Sequence, residues 1–379
     1  MKTRMAEKSQ ISARRMIGLI VALSVLPSLA EGYAILWGYR QGMVGKALRD
    51  GMDFWAGGFL LRNGQTAMLF DHTAYEAFLT GLFGPQGFHM WSYPPTYGLI
   101  AALFAGVGPW PAALAFDAVS LAVLAGLLRL AGKSWVFVLC LLLGPATLEN
   151  AMEHQNAALM TALIGGGLLM LEARPRWAGV LIGLATFKPQ LGVVLPLYLL
   201  RRRPVAALVA AVVAVLFAGL AGWVFGWPAW AGFLHYTSPV MTNVLTTGQP
   251  RDFAAGLVCV FAALKPFVGV GAALIIQGLV TGLCVLAGWF TRSTPALLIL
   301  SALASPYLHD YDLLGAGLAT ALMVEERLKT GFRPGEPLVF FLAWFGPGLL
   351  PWLPRFAHLT PVLLILLLAS ARARGGKEA

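Results

Sequence analysis

Residues 177–203 read WAGVLIGLATFKPQLGVVLPLYLLRRR. The apolar run 177–200 is long enough to cross a bilayer, for which about 20 residues suffice, and it stops at Arg201, Arg202 and Arg203. In a straight helix Lys188 would sit near the bilayer midplane. A charged side chain there costs on the order of 2.5–3.5 kcal/mol or more. Pro189 also removes a helical hydrogen bond and clashes with the preceding turn. Both difficulties vanish if the span breaks at Lys188-Pro189 and the lysine points into a wet cavity, where it meets an anion. Irregular backbone is tolerated at membrane depth only beside such a cavity or inside protein.

The rest of the chain agrees with this reading. Of 379 residues, 58% are hydrophobic and 12% charged, against about 25% charged in a soluble domain, so lipid is the solvent for most of its length. Further apolar runs cover 16–38, 94–108, 111–131, 135–148, 157–172, 204–226, 254–290, 294–304, 311–324, 338–352 and 358–371. The expected fold is all-α: a polytopic bundle of about 10–12 transmembrane or re-entrant helices, in one membrane-embedded domain over 1–379. The net charge of +10 comes from flanks: Lys2, Arg4, Lys8, Arg14 and Arg15 before the first run, Arg201–Arg203, and Arg372, Arg374 and Lys377 at the end. Such flanks follow the positive-inside rule. They form no basic soluble face, so a nucleic-acid partner is not expected. Cys140, Cys259 and Cys284 lie inside apolar runs without ligand spacing and read as small buried residues.

With the N-terminus in the cytoplasm, the hydrophilic stretches 39–92 and 227–252 fall outside. In the first, Tyr75, Phe78, Leu79 and Leu82 recur at helical spacing behind Asp71 or Thr73, either of which could cap the helix. Two short helices lying at the membrane surface are expected there. Trp91 and Tyr93 mark the interface, and Pro94-Pro95 suits the start of the next helix.

Four polar clusters stand out in a chain with 17 acidic residues. Asp50 and Asp53 open the first loop; a carboxylate there suits a general base as well as a helix cap. Glu149, Asn150, Glu153, His154, Gln155 and Asn156 fit contacts to a sugar or phosphate as well as a plain polar turn. The third cluster is Lys188-Pro189-Gln190. The fourth is Ser305-Pro-Tyr-Leu-His309-Asp310-Tyr311-Asp312, whose histidine could donate to a phosphate or relay a proton. Together they suit a ligand that is both anionic and lipidic.

The ordered set Asp53-Phe54, Asn63-Gly64, Tyr93-Pro94-Pro95, Gln155-Asn156, Phe187-Lys188-Pro189-Gln190 with the basic run after it, and Ser305-Pro306-Tyr307 with His309-Asp310 resembles glycosyltransferase family 87. The resemblance implies a GT-C fold, an active site at the first external loop on the outer face of a bacterial inner membrane, and inverting transfer of a hexose, by default mannose, from a polyprenyl-phosphate donor to a lipid or glycan acceptor. It also implies that Asp53 is the general base and that His309 contacts the donor phosphate. Lys188, Asp310, Gln190, Tyr93, Gln155, Asn156 and Arg251 are the further candidate contacts to donor phosphate or sugar. No cluster offers convincing metal ligands, so metal-independent transfer without a cofactor is expected. The rivals are a transporter or flippase for a lipid-linked substrate, which predicts inverted repeats, and a non-catalytic subunit of an envelope-polysaccharide complex. No repeat is visible.

Overall fold

The computed structural model describes residues 25–26, 29–30, 32–42, 47–85, 88–248 and 256–371. Most of the run 16–38 and Arg251 lie outside the described residues. The chain is 81% helix, without a strand among the described residues, a polytopic helical bundle. Among the described residues, Pro109–Leu130, Pro204–Phe225 and Val260–Phe290 are long and apolar enough to cross a membrane, and Trp135–Leu142 with Pro145–Met152 makes a fourth segment bent by 50°.

The run 177–200 breaks where Lys188-Pro189 requires. Pro175–Leu184 is α-helical, Ala185–Phe187 and Pro189–Leu191 are single 3-10 turns, and Leu195–Arg202 resumes the α-helix. The first piece packs closely on Pro204–Phe225. A side chain at Gly179 would lie 2.6 Å from the Ala206 carbonyl oxygen, and one at Gly183 2.7 Å from that of Ala210. This is the small-xxx-small contact that brings two membrane helices together without a hydrophobic driving force.

Polar contacts sort the helix ends into two groups. At one end Lys133 pairs with Glu325 at 2.7 Å, Arg202 and Arg203 pair with Glu172, and Arg201 donates to the Trp289 carbonyl at 3.0 Å. Lys133 and Arg201–Arg203 therefore gather at one end of the bundle. Residues 153–156, 187–190 and 305–312 lie between helices that start or finish at that end, and they meet at the opposite one. The bent segment 135–152 lets Arg129, Lys133, Arg174 and Arg176 share one end without every apolar run being a straight span.

The first loop differs in part from its expected form. His72–Phe83 is capped by Asp71, whose carboxylate accepts from the Ala74 amide at 3.0 Å, and it buries Tyr75 and Leu79. Gly51–Arg62, however, does not lie on the surface. Ten of its twelve residues are buried, packed against Pro95–Phe104 and Pro109–Leu130. Its sequence GMDFWAGGFLLR is apolar on every side, and such a helix has no polar face to turn outward. The stretch expected as a second loop is likewise helical, through Trp227–Gly232, a π-helical turn Phe233–Thr237 and Ser238–Thr247.

Candidate active site

A cavity of about 300 Å³ opens at the end away from the basic flanks. Asp50 and Asp53 come from the start of Gly51–Arg62, His89 and Tyr93 from the segment before Pro95–Phe104, and His154 and Gln155 from the turn after Pro145–Met152. Lys188 and Gln190 come from the broken span, Thr237 and Met241 from the outer helices, and Tyr307 and Tyr311 from the fourth cluster. The cavity thus gathers Asp53, Tyr93, Gln155, Lys188 and Gln190 from the expected set. Asn156 sits just behind, accepting from Lys188 Nζ at 3.2 Å. His309 and Asp310 are not in the wall. The His309 ring is buried, stacked on Tyr311 at 4.9 Å and set edge-on to Tyr307 at 5.3 Å, so it supports two tyrosines that do line the cavity. The Asp310 carboxylate accepts from the Tyr311 amide at 2.9 Å.

Asp53 is held on both oxygens. The Tyr75 hydroxyl donates to Oδ1 at 3.0 Å, and His89 Nδ1 lies 2.5 Å from Oδ2. Burial works against a charge on His89, but Asp53 beside it, with Asp50 and Glu153 further off, pushes its pKa up from 6.5 to about 9. The Asp53 side chain thus favours the charged form of His89. Burial, and then the neighbouring Asp53, raise the pKa of Asp50. Asp50 Oδ2 accepts from Gln155 Nε2 at 2.6 Å, and Gln155 Oε1 accepts from the Tyr93 hydroxyl at 2.8 Å. Arg49 pairs with Glu153. The turn at 153–155 therefore grips the strand of backbone that carries both aspartates.

The anion that Lys188 meets belongs to the protein. Nζ lies 2.5 Å from Asp312 Oδ1, and the second oxygen of Asp312 accepts from the His309 amide at 3.3 Å. The ammonium also sits over the Tyr311 ring. Two of its three N–H donors are committed to Asn156 and Asp312. Ligand atoms of Asp50, Asp53 and His89 lie within 4.8 Å of one another and form a set that could hold a cation. The Asp53–His89 separation of 2.5 Å is closer than two ligands stand on one ion, where bonds of about 2.0–2.2 Å at octahedral or tetrahedral angles put them roughly 3 Å apart.

Sequence reasoning missed His89, Tyr75 and Asp117. His89 stands alone in the sequence, with no spacing to mark it, and Tyr75 read as core. Asp117 did carry a signal: it is an acid inside the apolar run 111–131, a placement that costs enough to mark function by default. It accepts from His154 at 2.6 Å.

A helical membrane bundle whose cavity is lined by carboxylates, imidazoles and tyrosines at one end has the features of a membrane-embedded enzyme working near an interface. The chain belongs to glycosyltransferase family 87, which residues 91–307, more than half of its length, match. It is a membrane glycosyltransferase. No curated protein and no solved structure matches it. The matched span begins after Asp53 and ends before His309, so neither residue draws its role from it.

Proposed function

We propose that the protein transfers a hexose, mannose by default, from a polyprenyl-phosphate donor to a hydroxyl of a lipid or glycan acceptor, with inversion, at the outer face of a bacterial inner membrane. The observation that carries this reading is Asp53, oriented by Tyr75 and His89 in the wall of a cavity that Lys188 also lines. A carboxylate offers about four lone-pair sites; two are in use, and an acceptor hydroxyl can take another. Asp53 accepts the hydroxyl proton as that oxygen bonds to the anomeric carbon. The bond from that carbon to the phosphate oxygen breaks, and its electron pair leaves on polyprenyl phosphate. The remaining Lys188 donor, with the cavity tyrosines, stabilises the leaving charge. The basic end of the bundle is cytoplasmic under the positive-inside rule, which turns the cavity outward. His309 acts on the donor through the two tyrosines it braces.

The test is transfer by purified protein from a polyprenyl-phosphate hexose, with Asp53→Asn beside the wild type. The expected result is turnover in the wild type, unaffected by EDTA, and its near loss in the variant. Full activity in the variant would remove Asp53 as the base, and loss of turnover in EDTA restored by a divalent cation would reassign the acidic trio to a metal. His309→Ala should raise the donor KM more than the acceptor KM. The same preparation separates the enzyme from a flippase, which moves the donor without consuming it.

A further inference from the structure

His154 and Asp117 form a second carboxylate–imidazole pair at the same cavity, and the mechanism above does not use it. The backbone at His154 is unusual. The Gln155 amide bonds back to the Asn150 carbonyl at 2.9 Å and the His154 amide to that of Ala151 at 3.3 Å. This double closure after Glu153 is the Schellman ending of a helix, whose left-handed position normally takes glycine. His154 occupies it at φ 51°, one of two non-glycine residues with positive φ among the described residues; the other is Arg49, at φ 48°. A histidine held where glycine is favoured stores strain, and such residues gather at functional sites.

The ring is aimed by Asp117. That carboxylate belongs to Pro109–Leu130, a candidate span, and is 9% exposed. Its Oδ2 lies 2.6 Å from His154 Nδ1. In a neutral imidazole this bond fixes the proton on Nδ1 and leaves a lone pair on Nε2. His154 lines the cavity, and its position there is specific. A side chain at Gly51 would meet His154 Cβ and Cδ2 at 3.0 Å, so the ring lies against the backbone between Asp50 and Asp53. It stands on the side of the proposed base rather than with Lys188 and Asp312.

Resting on the functional reading above, we infer that His154 Nε2 accepts a hydrogen bond from a second hydroxyl of the acceptor, beside the one Asp53 deprotonates, with Asp117 as the residue that positions the ring. The acceptor is therefore a polyol, such as a sugar ring, and not a lone alcohol at the end of a lipid. His154→Asn suits the test, because asparagine tolerates left-handed backbone and its amide can still donate to Asp117.

Two measurements decide it. The first needs no turnover: ¹⁵N NMR of histidine-labelled protein in nanodiscs, with the His154 signals assigned by their loss in His154→Asn. The expected spectrum of the neutral ring has Nδ1 protonated and Nε2 bare, and octyl hexoside perturbs Nε2 while octanol does not. A protonated Nε2, or equal indifference to both probes, would overturn the subsite. The second measures transfer to octyl hexoside and its monodeoxy analogues. His154→Asn should raise the acceptor KM about tenfold, the size of one net hydrogen bond, with kcat and donor KM within about twofold. One deoxy analogue should show the same penalty on the wild type and none on the variant. An unchanged acceptor KM, or a variant equally sensitive to every deoxy position, sinks the inference. If the wild type transfers to no probe, the functional reading fails, and the spectrum alone decides His154.

Discussion

Two carboxylate–nitrogen pairs each place at least one member in the wall of this cavity, with the same 2.5 Å separation and opposite surroundings. Asp53 and His89 keep 11% and 19% of their side chains exposed, whereas Asp312 and Lys188 keep 0% and 4%. A pair open to the cavity can exchange one partner for a substrate hydroxyl and return. A sealed pair is already matched, and loss of either member strands a charge in a medium that cannot solvate it. Charge near a membrane thus does two kinds of work here. The open pair is suited to moving a proton, and the deeper pair locks the re-entrant segment 177–200 to the segment 305–312 while leaving Lys188 in the cavity lining.

The comparison can be broken most sharply at its two carboxylates. Asp53→Asn should lower turnover by about a hundred- to ten-thousand-fold, the usual range for removing a general base, with a smaller loss of melting temperature than Asp312→Ala causes. Asp312→Ala should instead destabilise the fold by about 3–5 kcal/mol, and Lys188→Met in the same chain should recover much of the melting temperature. Equal destabilisation by both single changes would erase the distinction. A smaller effect sharpens it. Because the His89 pKa is raised from 6.5 to about 9, its contribution to stability is complete below about pH 6.5 and is lost as pH rises through about 9. A pH series of melting temperatures should show this decline in the wild type and a flatter curve in His89→Gln; parallel curves would mean that the pair contributes nothing.

Much of the architecture was legible because the membrane makes errors expensive. Lys188-Pro189 could not sit in an intact span, and the helix breaks there. Asp71 or Thr73 could cap what followed, and Asp71 does. The gripping turn at 153–155 was visible as polar residues between apolar runs, though its role was open. What the residues could not tell was pairing. Lys188 announced an anion but not that the anion is Asp312, and His309 looked like a ligand contact although it is a brace behind Tyr307 and Tyr311. The burial of Gly51–Arg62 followed from its uniformly apolar circumference, which was read as one side of a surface helix. His89 had no periodicity and no neighbours in sequence to give it away, because its partner stands 36 positions earlier.

Ala157–Met170 has 14 residues and Thr294–Ala304 has 11, and each runs between the basic end and the level of the cavity. At 1.5 Å per residue they rise about 21 and 17 Å, well short of the roughly 30 Å hydrocarbon core. The cavity floor is therefore countersunk below the headgroup plane, and because both helices are buried among their neighbours that depth is set by protein and not by the lipid around it. On the proposed reading, a lipid-borne phosphate must be drawn down to that depth before any bond can change.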